Sequence, residues 1–315
     1  MKTLRKSLSQ LSYPRLAVWL ALAAARLLGC ADAEAAVDPG RAAVLVYKRE
    51  SAKHLSALKA ALKAPAEALA AVLPTLPADL QTNEFDGAQV EALGPPLEEA
   101  YIAMEQAVSA AWDSNGNAGK EQMLIAVGEF DPEFDVPSVP SAFYAGSGGA
   151  RDRFAGAMMA AVNRSLSAPR RSASRAVAAA RRLGIGLNVQ LFAPGANANA
   201  SLGFNEGAVM APNSLPVSVE YLVAGSNLAI MDDGVLLIGG QYDPDAGALK
   251  IVRTRASSAT TTTVIENVTP TADQALAGHW SALMGGGFDG LSEGNYLLTI
   301  QQGGVPVTTI TIGVP

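Results

Sequence analysis

Apolar positions along this chain recur at two periods, and the change falls near Gly184. Before it, apolar side chains return every three or four residues, the repeat of a helix with one buried face. Leu55, Leu58 and Leu62 mark one such stripe within 50–63, with Lys53, Lys59 and Lys63 elsewhere around the turn. Pro65 and Pro74 bound a second short helix, because proline suits a helix's first turn and not its interior. Pro95-Pro96 open the longest stripe, carried by Leu97, Tyr101, Met104, Val108 and Ala111. Two alanine-rich helices follow, near 151–166 and 172–183. The second ends in Arg181, Arg182 and Gly184, where cations meet the carbonyl end of the helix and glycine accepts a left-handed cap. The apolar runs Ala43–Tyr47 and Gln122–Val127 read as short buried strands, and Gly146–Gly149 as a flexible break.

Beyond Gly184 the helical period stops. Runs of Val, Ile, Leu and Thr predict strands at Leu187–Phe192, Val217–Val223, Val235–Ile238, Ala248–Arg253, Thr260–Val268, Tyr296–Gln301 and Val307–Ile312. Turn chemistry separates them at Asp232-Asp233-Gly234, Asp243-Pro244-Asp245 and Gly303-Gly304. The stretch Gly294-Asn295-Tyr296-Leu297-Leu298-Thr299-Ile300 resembles the penultimate strand of bacterial immunoglobulin-like domains. The expected fold class is therefore α+β: a helix-rich N-terminal half with two short strands, then an all-β immunoglobulin-like sandwich. The expected divisions are 1–36, an acidic helical part at 37–145, an Arg-rich helical segment at 146–184, and the β part at 185–315.

The first 36 residues read as a signal peptide. Lys2, Arg5, Lys6 and Arg15 precede an apolar run from Leu16 to Ala25, and Ala31-Asp32-Ala33 offers a small-residue cleavage site. The run is about half the roughly 20 residues that a membrane-spanning helix needs. Leu27-Leu28-Gly29-Cys30 resembles the lipobox of bacterial lipoproteins, in which the cysteine is lipidated; Arg26 interrupts the pattern. Cys30 is thus either a lipidation site or lost with the leader. It is also the chain's single cysteine, so no intrachain disulfide forms.

Composition narrows the function classes. Of 315 residues, 49% are hydrophobic and 17% charged, enough apolar content for a substantial core and the opposite of the disorder signature. The net charge of −6 argues against a nucleic-acid binder. Charge is unevenly placed. Twelve acids and one base lie between Asn83 and Asp135, whereas eight arginines and one acid lie between Arg151 and Arg182. Arg170, Arg171, Arg175, Arg181 and Arg182 are candidates for an anionic partner, since the guanidinium fork matches carboxylate and phosphate. Mutual neutralisation of the two blocks is the competing reading.

Catalytic motifs are weak. Asp113, Asn115, Asn117 and Glu121 alternate oxygen-bearing side chains as a calcium loop does, but Ala118 and Leu124 stand where an EF-hand needs Gly and Glu. The run is a candidate calcium site, and otherwise a polar loop. A second acidic cluster, Glu129, Asp131, Glu133 and Asp135, follows it. Gly116–Lys120 lacks P-loop spacing, and Gly146-Ser147-Gly148 lacks the flanking residues of a nucleophile elbow. Only His54 and His279 are present, which excludes a multi-histidine metal site; His279, beside Trp280, reads as a packing residue. The expectation is an exported, non-catalytic cell-envelope protein acting as a binding or structural module. Its partners would be an envelope protein, a glycan or further copies of itself. The alternatives are a subunit of a surface filament or layer, and a hydrolase of an envelope polymer working through acidic residues.

Overall fold

The computed structural model describes residues 39–73, 87–128, 138–194, 217–227, 230–255, 257–285 and 294–314. The signal-peptide expectation, Cys30 and the cluster Glu129–Asp135 lie outside them.

The N-terminal half is helical throughout its described residues. Helices α1 (Pro39–Ala61), α2 (Lys63–Val72), α3 (Gly87–Glu91), α4 (Gly94–Gly128), α5 (Ser138–Ser165) and α6 (Ser167–Arg182) follow in order. The two short strands expected here are absorbed into helices. Ala43–Tyr47 lies in α1, where Val44, Tyr47, Ser51 and Leu58 keep one buried stripe. Gln122–Val127 continues α4, with Leu124 and Ile125 exposed. A run of five or six apolar residues carries no period of its own, and the neighbouring turns decide for helix.

The expected break at Gly146–Gly149 and the expected loop at 113–121 are also helical. Two of their glycines, Gly146 and Gly119, serve close approach instead. A Cβ on Gly146 would sit 2.9 Å from Val44 Cγ2, and one on Gly119 3.2 Å from the Tyr47 ring. Removing those side chains lets α5 and α4 press against α1. The stop at Gly184 holds as expected: its φ is +77°, and its N–H donates to the Arg181 carbonyl.

The C-terminal half holds two antiparallel four-stranded sheets. The first runs β1 (Ile185–Leu191), β2 (Tyr221–Asn227), β3 (Ile230–Gln241) and β6 (His279–Gly285). The second has the order β5 (Ser258–Val268), β4 (Leu249–Arg255), β7 (Gly294–Gln302) and β8 (Val305–Val314). The β7–β8 turn is Gly303-Gly304, with φ of +57° and +83°, the left-handed pair that a two-residue hairpin needs. Asp243 caps the expected turn by accepting from the Asp245 N–H at 2.9 Å. The expected turn at Asp232–Gly234 lies instead inside β3, which pairs with β2. Strand β6 and the short helix α7 (Ala272–Ala277) were not anticipated.

Alternation along the first sheet produces three layers. Leu187, Leu191, Tyr221, Val223 and Leu237 face the helices in one core with Leu97, Tyr101, Met104 and Val162. Leu222, Leu236, Ile238, Trp280 and Met284 face the second sheet, in another core with Ile251, Leu298 and Ile300. The first sheet is thus covered on both faces, and the helical half and the β half are packed together.

Candidate functional site

The cover is not wholly apolar. Where α4 crosses the first sheet, polar side chains are buried in the seam. Glu98 and Glu105 lie seven residues apart on α4, two turns on the same face. Opposite them stand Glu220, just before β2, and His279, at the start of β6. Glu220 and His279 are fully buried, and Glu105 is 9% exposed.

A local irregularity aims Glu220. Its N–H donates to the Gly239 carbonyl at 2.8 Å, while Tyr221 is the register partner of the same glycine. Two successive residues address one, which is the arrangement of a β-bulge and re-aims side chains. Tyr221 then stacks on the His279 ring, with centroids 6.2 Å apart, and meets Tyr101 in a tilted contact at 5.6 Å. Gly239 makes room for this: a Cβ there would overlap the Tyr221 ring and the Trp280 carbonyl.

His279 sits at the centre. Its Nε2 is 3.3 Å from Glu220 Oε2 and 3.7 Å from Glu105 Oε1, and its Nδ1 is 3.9 Å from Glu98 Oε1. Glu98 is held from behind. Gln274 Nε2 donates to Glu98 Oε2 at 2.9 Å, and Gln274 is fixed by the capping box it forms with Thr271. Glu105 Oε1 and His279 Nδ1 are buried without a hydrogen-bond partner.

Electrostatics follow from burial. Desolvation raises the Glu105 carboxyl well above the ordinary carboxylate range, and the neighbouring Glu220 charge raises it further. Desolvation lowers the His279 imidazole, while Glu105 and Glu98 act against that. The Tyr101 phenol is raised, chiefly by burial and next by Glu220. The site is rich in acceptors, and only protons or a cation can balance it.

The residues singled out from the sequence lie elsewhere. Asp113, Asn115, Asn117 and Glu121 are on α4, where residues two apart point to opposite sides, about 200° around the helix. Asn115 is turned inward, donating to the Tyr47 hydroxyl at 2.6 Å and accepting from Ser51 at 2.7 Å, while Asp113, Asn117 and Glu121 are exposed. The four do not converge as in a calcium loop, because a loop can turn alternate oxygens inward and a helix cannot.

The arginines divide. Arg170 is committed to the fold: its Nε donates to the Leu191 carbonyl at 3.0 Å, and its guanidinium reaches Asn163 Oδ1 at 3.3 Å. Arg171, Arg175, Arg181 and Arg182 are exposed on α6, whose other side buries Ala173, Ala176 and Ala180. Arg151, from the same basic block, lies 4.9 Å over the Trp112 ring of α4.

Fold and site together define an α+β chain with helices on one of two antiparallel sheets and a carboxylate–histidine centre buried in the seam. No family model matches this chain, and no curated protein matches it. Among the described residues, no helix is long and apolar enough to cross a membrane.

Proposed function

We propose that the chain is an exported cell-envelope protein that acts by binding, and that α6 carries its docking surface for an acidic envelope glycan. The observation that carries this is the placement of Arg171, Arg175 and Arg182. All three are exposed, and at 100° per residue they fall within an arc of about 40°, with Arg181 about 80° to one side. Helix α6 has no acid of its own. Export rests on the N-terminal residue pattern, with Cys30 as a lipid anchor if it is retained. The burial of His279 and Glu220 favours binding over turnover, since a substrate would have to open the seam to reach them.

The finer reading of the two sheets as an immunoglobulin-like sandwich belongs here. Their shared core and the alternating β7–β8 hairpin support it. Their order keeps β1, β2 and β3 as consecutive neighbours, whereas immunoglobulin constant domains place the fifth strand beside the second. What carries over is the layering and not the topology.

The test is retention on an immobilised acidic polysaccharide at rising salt. Each exposed charge contact is worth about 0.2–1 kcal/mol. Replacing Arg171, Arg175 and Arg182 together by Ala therefore weakens binding by about 3-fold to 150-fold and flattens its salt dependence. Equal retention of wild type and triple variant would remove the proposal. The filament reading draws on one further observation: Glu91, Glu99, Asp113 and Glu121 are exposed on α3 and α4, separate from the arginine stripe. Salt-sensitive growth of particle mass in light scattering would favour it.

A further inference from the structure

We infer that Glu105, Glu220 and His279 form a binding site for one divalent transition-metal ion of the zinc type, locking α4 onto the first sheet. The three residues come from separate stretches of chain, and one donor atom from each lies within 4.8 Å of the other two. Zinc holds nitrogen and oxygen at about 2.0–2.2 Å, which sets ligand atoms about 3.3–3.6 Å apart in a tetrahedral shell. The His279 Nε2 distances of 3.3 and 3.7 Å to the two carboxylates lie at and just beyond that edge.

A proton serves this arrangement poorly. Imidazole Nε2 carries at most one hydrogen, yet two carboxylate oxygens from different elements face it. Even with that hydrogen on the side of Glu220, the nearer, and a further proton shared between Glu105 and Glu220, Glu105 Oε1 is left as observed: buried, aimed at the imidazole and without a hydrogen-bond partner. A cation between the three atoms satisfies all of them at once. The donor set, one imidazole and two carboxylates, suits zinc, iron or manganese rather than a thiol-seeking ion. On the far side of the ring Glu98 faces His279 Nδ1, and it is that nitrogen which is also buried and without a hydrogen-bond partner. A carboxylate there is the customary partner of a metal-bound histidine, fixing its tautomer and raising its basicity. Gln274 holds Glu98 in that place.

The site goes beyond the proposed glycan surface and does not depend on it. The test uses the full chain, refolded or dialysed against chelator, and titrated with zinc chloride and separately with cobalt chloride. Metal is added both to the folded protein and during refolding, because the site is closed. The expected result is one equivalent bound, visible d–d bands for cobalt that zinc displaces, and a raised melting temperature. Glu220→Gln and His279→Asn should abolish the bands. Glu98→Gln should keep them while lowering affinity about 10–100-fold. If a variant fails to fold, the wild-type titration still decides. No cobalt band and no shift in melting temperature with either metal under both loading protocols would overturn the inference. So would bands that persist unchanged in folded Glu220→Gln and His279→Asn, or a folded Glu105→Gln as stable as metal-treated wild type and equally able to bind.

Discussion

Gly239→Ala is the sharpest test of how the seam is built. Gly239 pairs with Tyr221 across β2 and β3, and an added Cβ would overlap the Tyr221 ring on one side and the Trp280 carbonyl on the other. The carbonyl belongs to β6 and cannot rotate away, so the ring must move. Tyr221 is fully buried between Tyr101 and His279. An aromatic side chain buries on the order of 150–250 Å². At about 25 cal/mol per Å², expelling it would cost about 4–6 kcal/mol. Overpacking with the ring still inside costs about 1–3 kcal/mol. The chain takes the cheaper course, so the expected loss is about 3 kcal/mol.

Urea unfolding followed by circular dichroism measures this directly, with near-ultraviolet signals reporting the tyrosine and tryptophan environment. Gly285→Ala is the control, since nothing lies within 4 Å of its Cβ. Its effect should stay within about 0.5 kcal/mol. The two substitutions should also be repeated in a Tyr221→Ala background. There the Trp280 carbonyl remains but the ring does not, so Gly239→Ala should cost at least about 1 kcal/mol less than in wild type. Equal costs for Gly239→Ala and Gly285→Ala, or no coupling with Tyr221, would refute the close approach on which the geometry of Glu220 and His279 depends.

Further consequences follow from helix packing and from the buried phenols. Gly146→Ala should destabilise by about 1–3 kcal/mol by pushing α5 off Val44, whereas Gly148→Ala, with open space at its Cβ, should stabilise by about 0.5–1 kcal/mol as a helix-interior glycine removed; thermal melts of the pair decide it. Burial raises the Tyr101 and Tyr221 phenols above their ordinary value of 10.0. A raised folded-state pKa gives stability that is complete below pH 10 and is lost as pH climbs toward the folded value. In an alkaline titration their phenolate absorbance should appear together with the loss of far-ultraviolet dichroism. All seven tyrosines titrating smoothly while the dichroism stays native would contradict this.

What was legible in the sequence was local chemistry with a single solution. Gly303-Gly304 between two alternating runs offers the left-handed turn that a two-residue hairpin needs, and Arg181-Arg182 before Gly184 ends a helix from the charges and the cap alone. The misread segments are those where local preference is weak and packing decides. Ala43–Tyr47 is too short to show a period, and its buried face is set by packing of Ala43, Val44 and Tyr47 against Phe143 and Ala150, far along the chain. Asp232-Asp233-Gly234 has turn chemistry, yet β3 runs through it at a register shift, between the pairs that Ile230 and Val235 make with β2. Strand β6 reads His-Trp-Ser-Ala-Leu-Met-Gly, with little intrinsic β preference, and exists because β3 offers it a ladder over seven register pairs.

The buried centre left fainter marks, and each was individually explicable. Glu98 and Glu105 border the stripe of Leu97, Tyr101 and Met104, where an acid reads as the start of the solvated face. Glu220 is the stronger signal. It interrupts Val217-Ser218-Val219-Glu220-Tyr221-Leu222-Val223, and an acid inside an apolar strand must either face water or find a buried partner. A regular strand would turn Glu220 and Tyr221 to opposite faces. Because Gly239 faces both, and because a glycine there leaves space for the Tyr221 ring, the two share the helix side of the sheet. The side of the sheet to which Glu220 is delivered thus depends on pairing between residues 19 apart, which the pattern of either strand alone does not display. Once it is delivered there, His279 and the two acids of α4 are the groups within reach. The carboxylate–histidine centre is therefore a product of one irregular backbone step, and Gly239→Ala should disturb the metal titration and the fold together.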